Sequence, residues 1–552
     1  MKQKKNCIAY FSMEIALNNK IPNYAGGLGV LAADTLLSCA DLGVNVVGIS
    51  LIYHINSDPE KVFDPARFMK RRKETVSVEI EGRQVQLVIW QMDIEGKNGE
   101  VPLFFLSSNT KENSQWDKDI TKHLYDANGY IRLCQEIILG IGGVRALEAL
   151  GYDNISRYHM NEGHSVTLTL ELLRQNSYDP KKVRSRCTFT THTPIPAGHD
   201  YFDYDLAYKT LGKMMPADIK QYATQERLCM TQLALNMSRK SNSVSVRHNQ
   251  VCKNMFPKVE FENITNGIYY QRWTGNQMKS VFNKHFKGWK DKPKVFSKAV
   301  RSLPSEELEK AHSAQKRELV DWINRQRKLF PFKSIVKDDL FSEDVLTISF
   351  ARRFVPYKRH GLIFHNPDKL KEIGYKKLQL IFAGRAHPSD EFSNNIIEKI
   401  RHFASRMQGQ IRIVILKEYD LEIAQRLISG CDIWLNNPVP PREASGTSGM
   451  KAALNGGLNL SILDGWWIEG YKMDPKSGWA FGKKYLGRNM QTQPLARDNE
   501  DSEALLRLLE DAIDCYYNRR EEWTERMKHA ISILSYFNTH RLVKEYSKKM
   551  WS

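Results

Sequence analysis

The sequence predicts an α/β protein built from two doubly wound domains in succession, their binding loops gathered around a shared cleft. Three observations carry this. Short apolar or β-branched runs alternate with helical stretches in both halves of the chain, and many of these runs are followed at once by polar residues, as at the carboxyl ends of parallel strands. Between the halves the strand signals stop and a charged helical stretch takes over.

In chain order, "NCIAYFS" (6–12) reads as a strand and "LGVLAADTLLSCADLG" (28–43) as a helix opening just after a double glycine. Strands follow at "NVVGISLIY" (45–53), "EVPLFFL" (100–106), "SRYHMN" (156–161) and "RCTFTTHT" (186–193). From about 274 to 340 the pattern is helical, and "FPFKSIVKDD" (330–339), with its proline and polar flanks, reads as a boundary. The expected division is therefore residues 1–335 and 336–552. The second series runs "DVLTISFARRF" (344–354), "LQLIFAGRAH" (378–387), "IRIVILKEY" (411–419), "DIWLNN" (432–437) and "LNLSILDGWW" (458–467). These runs are nearly continuously apolar, as strands buried on both faces are. The tail is helical, with Leu505, Leu508, Leu509, Ala512, Ile513 and Tyr516 on one face and able to pack back on the first domain.

At 552 residues, 41% hydrophobic and 26% charged, the chain is too long for one core and ordinary in composition. No window approaches the roughly 20 apolar residues of a membrane span. The basic N-terminus resembles a signal peptide only until Ser12 and Glu14 interrupt its apolar run, so a cytoplasmic location is expected. The eight cysteines are scattered, with no CxxC pair and no zinc-like spacing, and read as packing residues. The 81 Lys and Arg against 63 Asp and Glu give a net charge of +18. The basic clusters, "KRRKE" (70–74) and "KGWKDKPK" (287–294), are short and lack interleaved aromatics, so no nucleic-acid partner is expected.

Candidate chemistry lies in the loops after the strands. "NYAGGLGVLAAD" (23–34) puts Gly26 and Gly27 at the mouth of a helix, where backbone amides can approach an anion; a plain tight turn is the alternative. "HMNEGHS" (159–165) brings Asn161, Glu162 and His164, and "THTPIPAGHD" (191–200) brings His192. Such mixed donors and acceptors suit a hydroxyl-rich ligand, and their spacing is not that of a metal site. "FARRFVPYKRHG" (350–361) ends a strand with Arg352, Arg353, Lys358 and Arg359, a set suited to phosphate unless it is simply a solvated turn. Finally "EASGTSGMKAALNGG" (443–457) runs from Glu443 through Ser445, Gly446 and Thr447 to Lys451, a third possible anion cradle with a lysine beside it. No GxGxxG in strand-to-helix context, P-loop or GxSxG elbow is present.

Together these segments resemble the α-glucan (glycogen, starch, maltodextrin) phosphorylase family, most closely its short bacterial members, over roughly residues 8–470. "EASGTSGMK" is similar to the family's pyridoxal-phosphate attachment motif and "TNGI" (265–268) with Trp273 to its substrate loop. "GGLG", "NEGH", "THTPIPAGHD" and "RRFVPYKR" occur in the family's order. The resemblance implies two Rossmann-like domains of the glycosyltransferase B type and retaining phosphorolysis of α-1,4-glucan chains to α-glucose 1-phosphate, with the cofactor's phosphate exchanging a proton with the substrate phosphate. It implies that Lys451 carries pyridoxal 5′-phosphate, with Arg352, Gly446, Thr447, Tyr419 and Trp273 around the cofactor. Arg353, Lys358 and the Gly27 amide would cradle the substrate phosphate. His192, Asn266, Glu443, Ser445 and Gly446 would hold the transferred glucosyl unit, and Gly26, Asn161, Glu162 and His164 would lie near the substrate. Partners would be the glucan and phosphate, with a homodimer left open and no resident metal.

The sequence departs from the family at "HINSDPEKVFDPARF" (54–68), at Ser243 where a glycine is usual, at Arg385 where a lysine is usual, and at "PVPPREASG". The chain starts close to the first motif, so control by phosphorylation of an N-terminal extension is not expected. Rival readings are a nucleotide-sugar glycogen or starch synthase on the same fold, and a non-catalytic glycan-binding relic.

Overall fold

A computed structural model describes residues 7–55, 62–329, 340–384, 391–416, 419–482 and 494–552, with side chains left out at 327–329 and 494–496. By its internal contacts the chain forms two compact units, residues 1–266 with 539–552, and residues 267–538. This division falls at 266/267, not at 335/336. The reason is the strand-free stretch: its helix Ser305–Leu329 packs within the second unit, where Gln315 Nε2 donates to the Ser429 carbonyl and His312 faces Asp432. The boundary read at 330–339 and Arg385 both lie outside the described residues.

The first unit holds a nine-stranded sheet. Its strands are β1 (Cys7–Ser12), β2 (Val46–Leu51), β3 (Lys70–Ile80), β4 (Arg83–Glu95), β5 (Glu100–Ser107), β6 (Ile155–Asn161), β7 (Cys187–Thr190), β10 (Lys240–Ser243) and β11 (Phe261–Asn263), with a separate hairpin of β8 (Tyr201–Asp203) and β9 (Arg227–Cys229). The order is β11-β10-β7-β6-β1-β2-β5-β4-β3, parallel from β11 to β5 and antiparallel at the last two pairings. β1 is wholly buried: Cys7, Ala9 and Phe11 enter one hydrophobic cluster while Ile8 and Tyr10 enter the other, the period of two that places a strand between two layers. The helix Gly27–Leu42 covers one face. The terminal helix Thr539–Lys549 joins it there, through Leu542, Val543, Tyr546 and a 2.6 Å contact between the Ser38 and Thr539 hydroxyls.

The edge hairpin β3–β4 was not read from the sequence. Its alternation, "VSVEI" and "QVQLVIW", flanks Glu81 and Gly82, both at positive φ (50° and 74°), the backbone that a two-residue hairpin turn requires. The basic run at 70–73 therefore lies on an edge strand, where charge discourages pairing with other chains.

The second unit holds a six-stranded, all-parallel sheet of β12 (Leu346–Ala351), β13 (Leu378–Ala383), β14 (Arg412–Leu416), β15 (Ile433–Asn436), β16 (Leu458–Ile462) and β17 (Gly478–Phe481). The order is β14-β13-β12-β15-β16-β17, so direction of growth reverses between β12 and β15. In the first sheet the reversal lies between β6 and β1. Open parallel sheets bind ligands beyond the strand ends at such a reversal, because the two neighbouring loops diverge there. All eight cysteines are buried and none forms a disulfide. No helix of the described residues is long and apolar enough to cross a membrane.

Candidate active site

In the second unit the loops after β12 and β15, the two strands at the reversal, carry the candidate residues. Arg352 Nη2 donates to Glu443 Oε1 at 2.8 Å and Lys358 Nζ to Glu443 Oε2 at 2.5 Å, all three side chains being at most 9% exposed. Burial alone would raise the Glu443 pKa, but the two cations more than offset it and hold it at about 2. The same carboxylate keeps Arg352 above its usual value against the effect of burial, with smaller contributions from Tyr357 and Tyr419. A buried triad of this kind stands only because each member is paired; removing one partner from such a set costs roughly 3–5 kcal/mol.

Gly446 adopts φ +74°, and a Cβ there would lie 3.0 Å from Glu443 Oε1, so both backbone and space demand glycine. The next residue, Thr447, opens the helix Ser448–Leu454, and Trp434 Nε1 donates to Ser448 Oγ at 3.0 Å. Lys451 is buried, with its Nζ 3.8 Å from the centroid of the Trp273 ring. Two further groups await partners among the described residues: Arg352 Nη1 and Ser445 Oγ are buried without hydrogen bonds.

This donor set fits a pyridoxal-phosphate-like group. It offers a primary amine against an aromatic face, an unspent buried guanidinium N–H, a free hydroxyl, and a loop whose Gly446 leaves room for close approach. Arg353 is different: its side chain is exposed, so the structure joins Arg352 and Lys358 but not Arg353 to Glu443. Arg359 is also no part of a phosphate cluster. Its guanidinium is buried, pairing with Asp498 (2.7 Å) and Asp501 (2.8 Å) and donating to the carbonyls of Asn437 and Pro438, a structural bracket for the loop after β15.

In the first unit the loops after β1, β6 and β7 carry the remaining candidates. Glu162 follows β6 at φ +76°, a conformation costing a non-glycine residue about 1–3 kcal/mol. Its carboxylate accepts from the Gly163 and His192 amides (3.1 and 2.7 Å) and from Thr193 Oγ1 (2.9 Å). Burial would raise Glu162, yet His192, His164 and His199 together hold it low. His192 shares a 2.8 Å contact between its Nε2 and Asn161 Oδ1, and burial keeps it below its ordinary pKa. Because Asn161 Oδ1 only accepts, Nε2 carries the proton. His164 faces Asp200 at 3.2 Å, which also takes Arg132 at 3.2 Å. Asn266 is buried with Oδ1 unpartnered.

The glycine loop holds a finding the sequence did not disclose. Glu14, directly after β1 and 2% exposed, accepts from the Ala25 amide at 2.5 Å and the Gly26 amide at 3.1 Å, and takes the Tyr125 hydroxyl at 3.0 Å. The Gly26 amide is thus engaged internally, and the anion cradle read at Gly26–Gly27 narrows to Gly27, which is exposed. A carboxylate just past a buried strand, followed 11 and 12 residues on by small residues, was the available signal.

Residues 204–493 match the family model described as carbohydrate phosphorylase. A maltodextrin phosphorylase of Thermococcus litoralis is 35% identical over 99% of this chain and 70% of its own length. Glycogen phosphorylases of Aquifex aeolicus and Mycobacterium tuberculosis are each 32% identical, over 99% and 98% of this chain and 86% and 70% of their own lengths.

Proposed function

The chain belongs to the carbohydrate phosphorylase family, and from that premise we propose that it is an α-1,4-glucan phosphorylase. Inorganic phosphate cleaves the terminal glucosyl unit from the nonreducing end of a glucan and is released as α-glucose 1-phosphate, with retention. We read the first unit as the glucan-binding lobe and the second as the lobe carrying the cofactor lysine, each Rossmann-like, in a glycosyltransferase B arrangement. The observation that carries the reading is the buried set of Lys451 against Trp273 and Arg352 with Lys358 on Glu443, at the reversal point of a parallel sheet.

Pyridoxal phosphate, when bound, would supply a phosphate group able to exchange a proton with the substrate phosphate. Lys451 would tether it, with Trp273, Tyr419, Gly446 and Thr447 around it, and the unspent Arg352 Nη1 would meet its phosphate. Arg352 and Lys358 are fixed cations in a dry site, where they offset the repulsion of closely placed phosphates far better than water does. Arg353, reaching out from the same loop, and the Gly27 amide would add donors for the substrate anion. Glu443 and Ser445 would take glucosyl hydroxyls. In the first unit, His192 keeps a neutral ring with its proton on Nε2, and Asn161, Glu162 and His164 fix the loops that carry it; Gly26 serves by shaping its loop.

The test is formation of glucose 1-phosphate from maltodextrin and phosphate by the wild-type chain and by Lys451→Ala, with borohydride reduction and peptide mapping for a pyridoxyl adduct at Lys451. Activity lost in the variant, with the adduct on Lys451, supports the reading. A chain that forms sugar phosphate without any adduct refutes the cofactor assignment, and no sugar phosphate refutes the activity. The rival synthase reading predicts no sugar phosphate and instead extension of the maltodextrin when a nucleotide sugar replaces phosphate.

A further inference from the structure

We propose that Asn455 is a positioning residue of the lysine site: one buried carboxamide ties the Lys451 helix to the Trp273 loop and so holds the indole against the Lys451 amine. The proposal rests on the reading of Lys451 as the cofactor tether.

Asn455 is fully buried, and both its Nδ2 hydrogens are used, one to the Lys451 carbonyl and one to the Trp273 carbonyl, each at 2.9 Å. Its Oδ1 accepts from the Gly275 amide at 2.7 Å. A carboxamide offers two donors and one acceptor oxygen, so a single side chain spends its donors joining segments 182 residues apart. The bond to Lys451 has a local reason. The helix Ser448–Leu454 has seven residues, and its last carbonyls lack intrahelical partners. The Asn455 amide turns back to the Ala452 carbonyl, leaving the side chain to take the carbonyl of Lys451.

The clamp is itself anchored. The Asn455 carbonyl accepts from His312 Nδ1 at 2.8 Å, and His312 Nε2 lies 3.2 Å from Asp432 Oδ1. Both partners of that ring, the Asn455 carbonyl and the Asp432 carboxylate, are acceptors. Asp432 also takes Lys316 Nζ at 2.6 Å and the Thr347 amide at 2.7 Å, where β12 begins. The carboxamide is therefore built on the sheet through a chain of buried hydrogen bonds. A free lysine side chain samples many rotamers, and ordering it costs entropy. Fixing the ring 3.8 Å from Nζ confines the amine to one region, as a tether needs.

The experiment compares Asn455→Ala and the isosteric Asn455→Asp with wild type and with Trp273→Phe, each alone and with Asn455→Ala. The readouts are equilibrium affinity of the apoprotein for pyridoxal phosphate, borohydride-trapped adduct at Lys451, melting temperature, and amide exchange over 270–276. Asn455→Asp keeps the acceptor for Gly275 and loses both donors. We expect each Asn455 variant to weaken cofactor affinity about tenfold, as loss of a buried hydrogen bond does, and to speed exchange over 270–276. Asn455→Ala and Trp273→Phe should be non-additive, because the first acts through the second. Variants that fold and bind the cofactor as wild type does, or a pair whose effects add, would overturn the proposal. If the wild-type chain captures no pyridoxal phosphate at Lys451, the tether reading falls and the proposal with it, while accelerated exchange would still report the clamp as structural.

Discussion

The two units treat buried polarity in opposite ways. In the first, the residues at the reversal point are directional hydrogen-bonding groups: Glu14 accepts from two loop amides, Glu162 ties its own loop to His192 and Thr193, and His192 and His199 are held below their ordinary pKa by burial. In the second, the corresponding loops bury net positive charge, two cations on one carboxylate with a guanidinium N–H to spare. Directional donors and acceptors discriminate among sugar hydroxyls, whereas concentrated charge holds phosphate. The division of labour proposed for the two lobes follows from that contrast.

The contrast is broken most sharply at Lys358. Replacing it with alanine leaves Glu443 with Arg352 alone and removes a fixed cation from the anion side. We expect kcat/KM for phosphorolysis to fall about 10²–10³-fold, the scale of losing one preorganised electrostatic donor, with melting temperature measured alongside. A fall below tenfold in a folded variant would mean that charge in the second unit is not what holds phosphate. The next effect concerns the first unit. Glu14→Gln keeps an acceptor for the Ala25 and Gly26 amides but weakens both bonds, so the Gly27 amide loses its fixed direction. About a tenfold rise in KM for phosphate, with KM for glucan little changed, is expected from weakened hydrogen bonds to a charged group. The reverse split would assign the glycine loop to the sugar.

How far the sequence led depends on the kind of signal. Parallel strands such as β12 and β13 were legible because burial on both faces leaves a nearly continuous apolar run, broken only by Thr347, Ser349 and Gln379. The short strands β10, "KSNS", and β11 were not, since polar residues paired within a sheet look like loop. The edge hairpin alternates clearly, but its first strand opens on "KRRKE", whose charge is as expected of a solvated cluster as of an edge strand. At the site, Glu443 and Lys451 stood out as charged residues in a loop of small ones, and Lys358 as one of a set of cations after a strand. Arg359 looked equivalent to Arg352, and only the positions of Asp498 and Asp501, 139 and 142 residues away, show it to be a bracket. Glu14 and Asn455 act on backbone groups brought together by folding; for Glu14 the spacing to the small residues 11 and 12 positions on is a faint signal, and for Asn455, whose partner Trp273 is 182 residues away, there is none.

The smallest effect sharpens the comparison through acid. Burial depresses five histidines of the first unit, His54, His159, His192, His199 and His248, with His159 at about 3 and His248 at about 4. Among the described residues of the second unit His360 alone is so shifted, to about 3. Geometry agrees at His159: Trp551 Nε1 donates to its Nδ1 at 3.1 Å, which requires a lone pair there. For a depressed histidine the unfolded chain binds the extra proton first, so its stabilisation is complete above about pH 6.5 and is lost as pH falls toward the folded value. Glu443, depressed from 4.5 to about 2, loses its contribution only across that lower window. The first unit should therefore begin to unfold at the higher pH, by about half a unit or more on this linkage. Pulse proteolysis along a pH series, with fragments mapped by mass spectrometry, reads the two units separately. Asn in place of His159 should move the first transition toward the second; coincident transitions in the wild-type chain would show that the histidines do not set the difference.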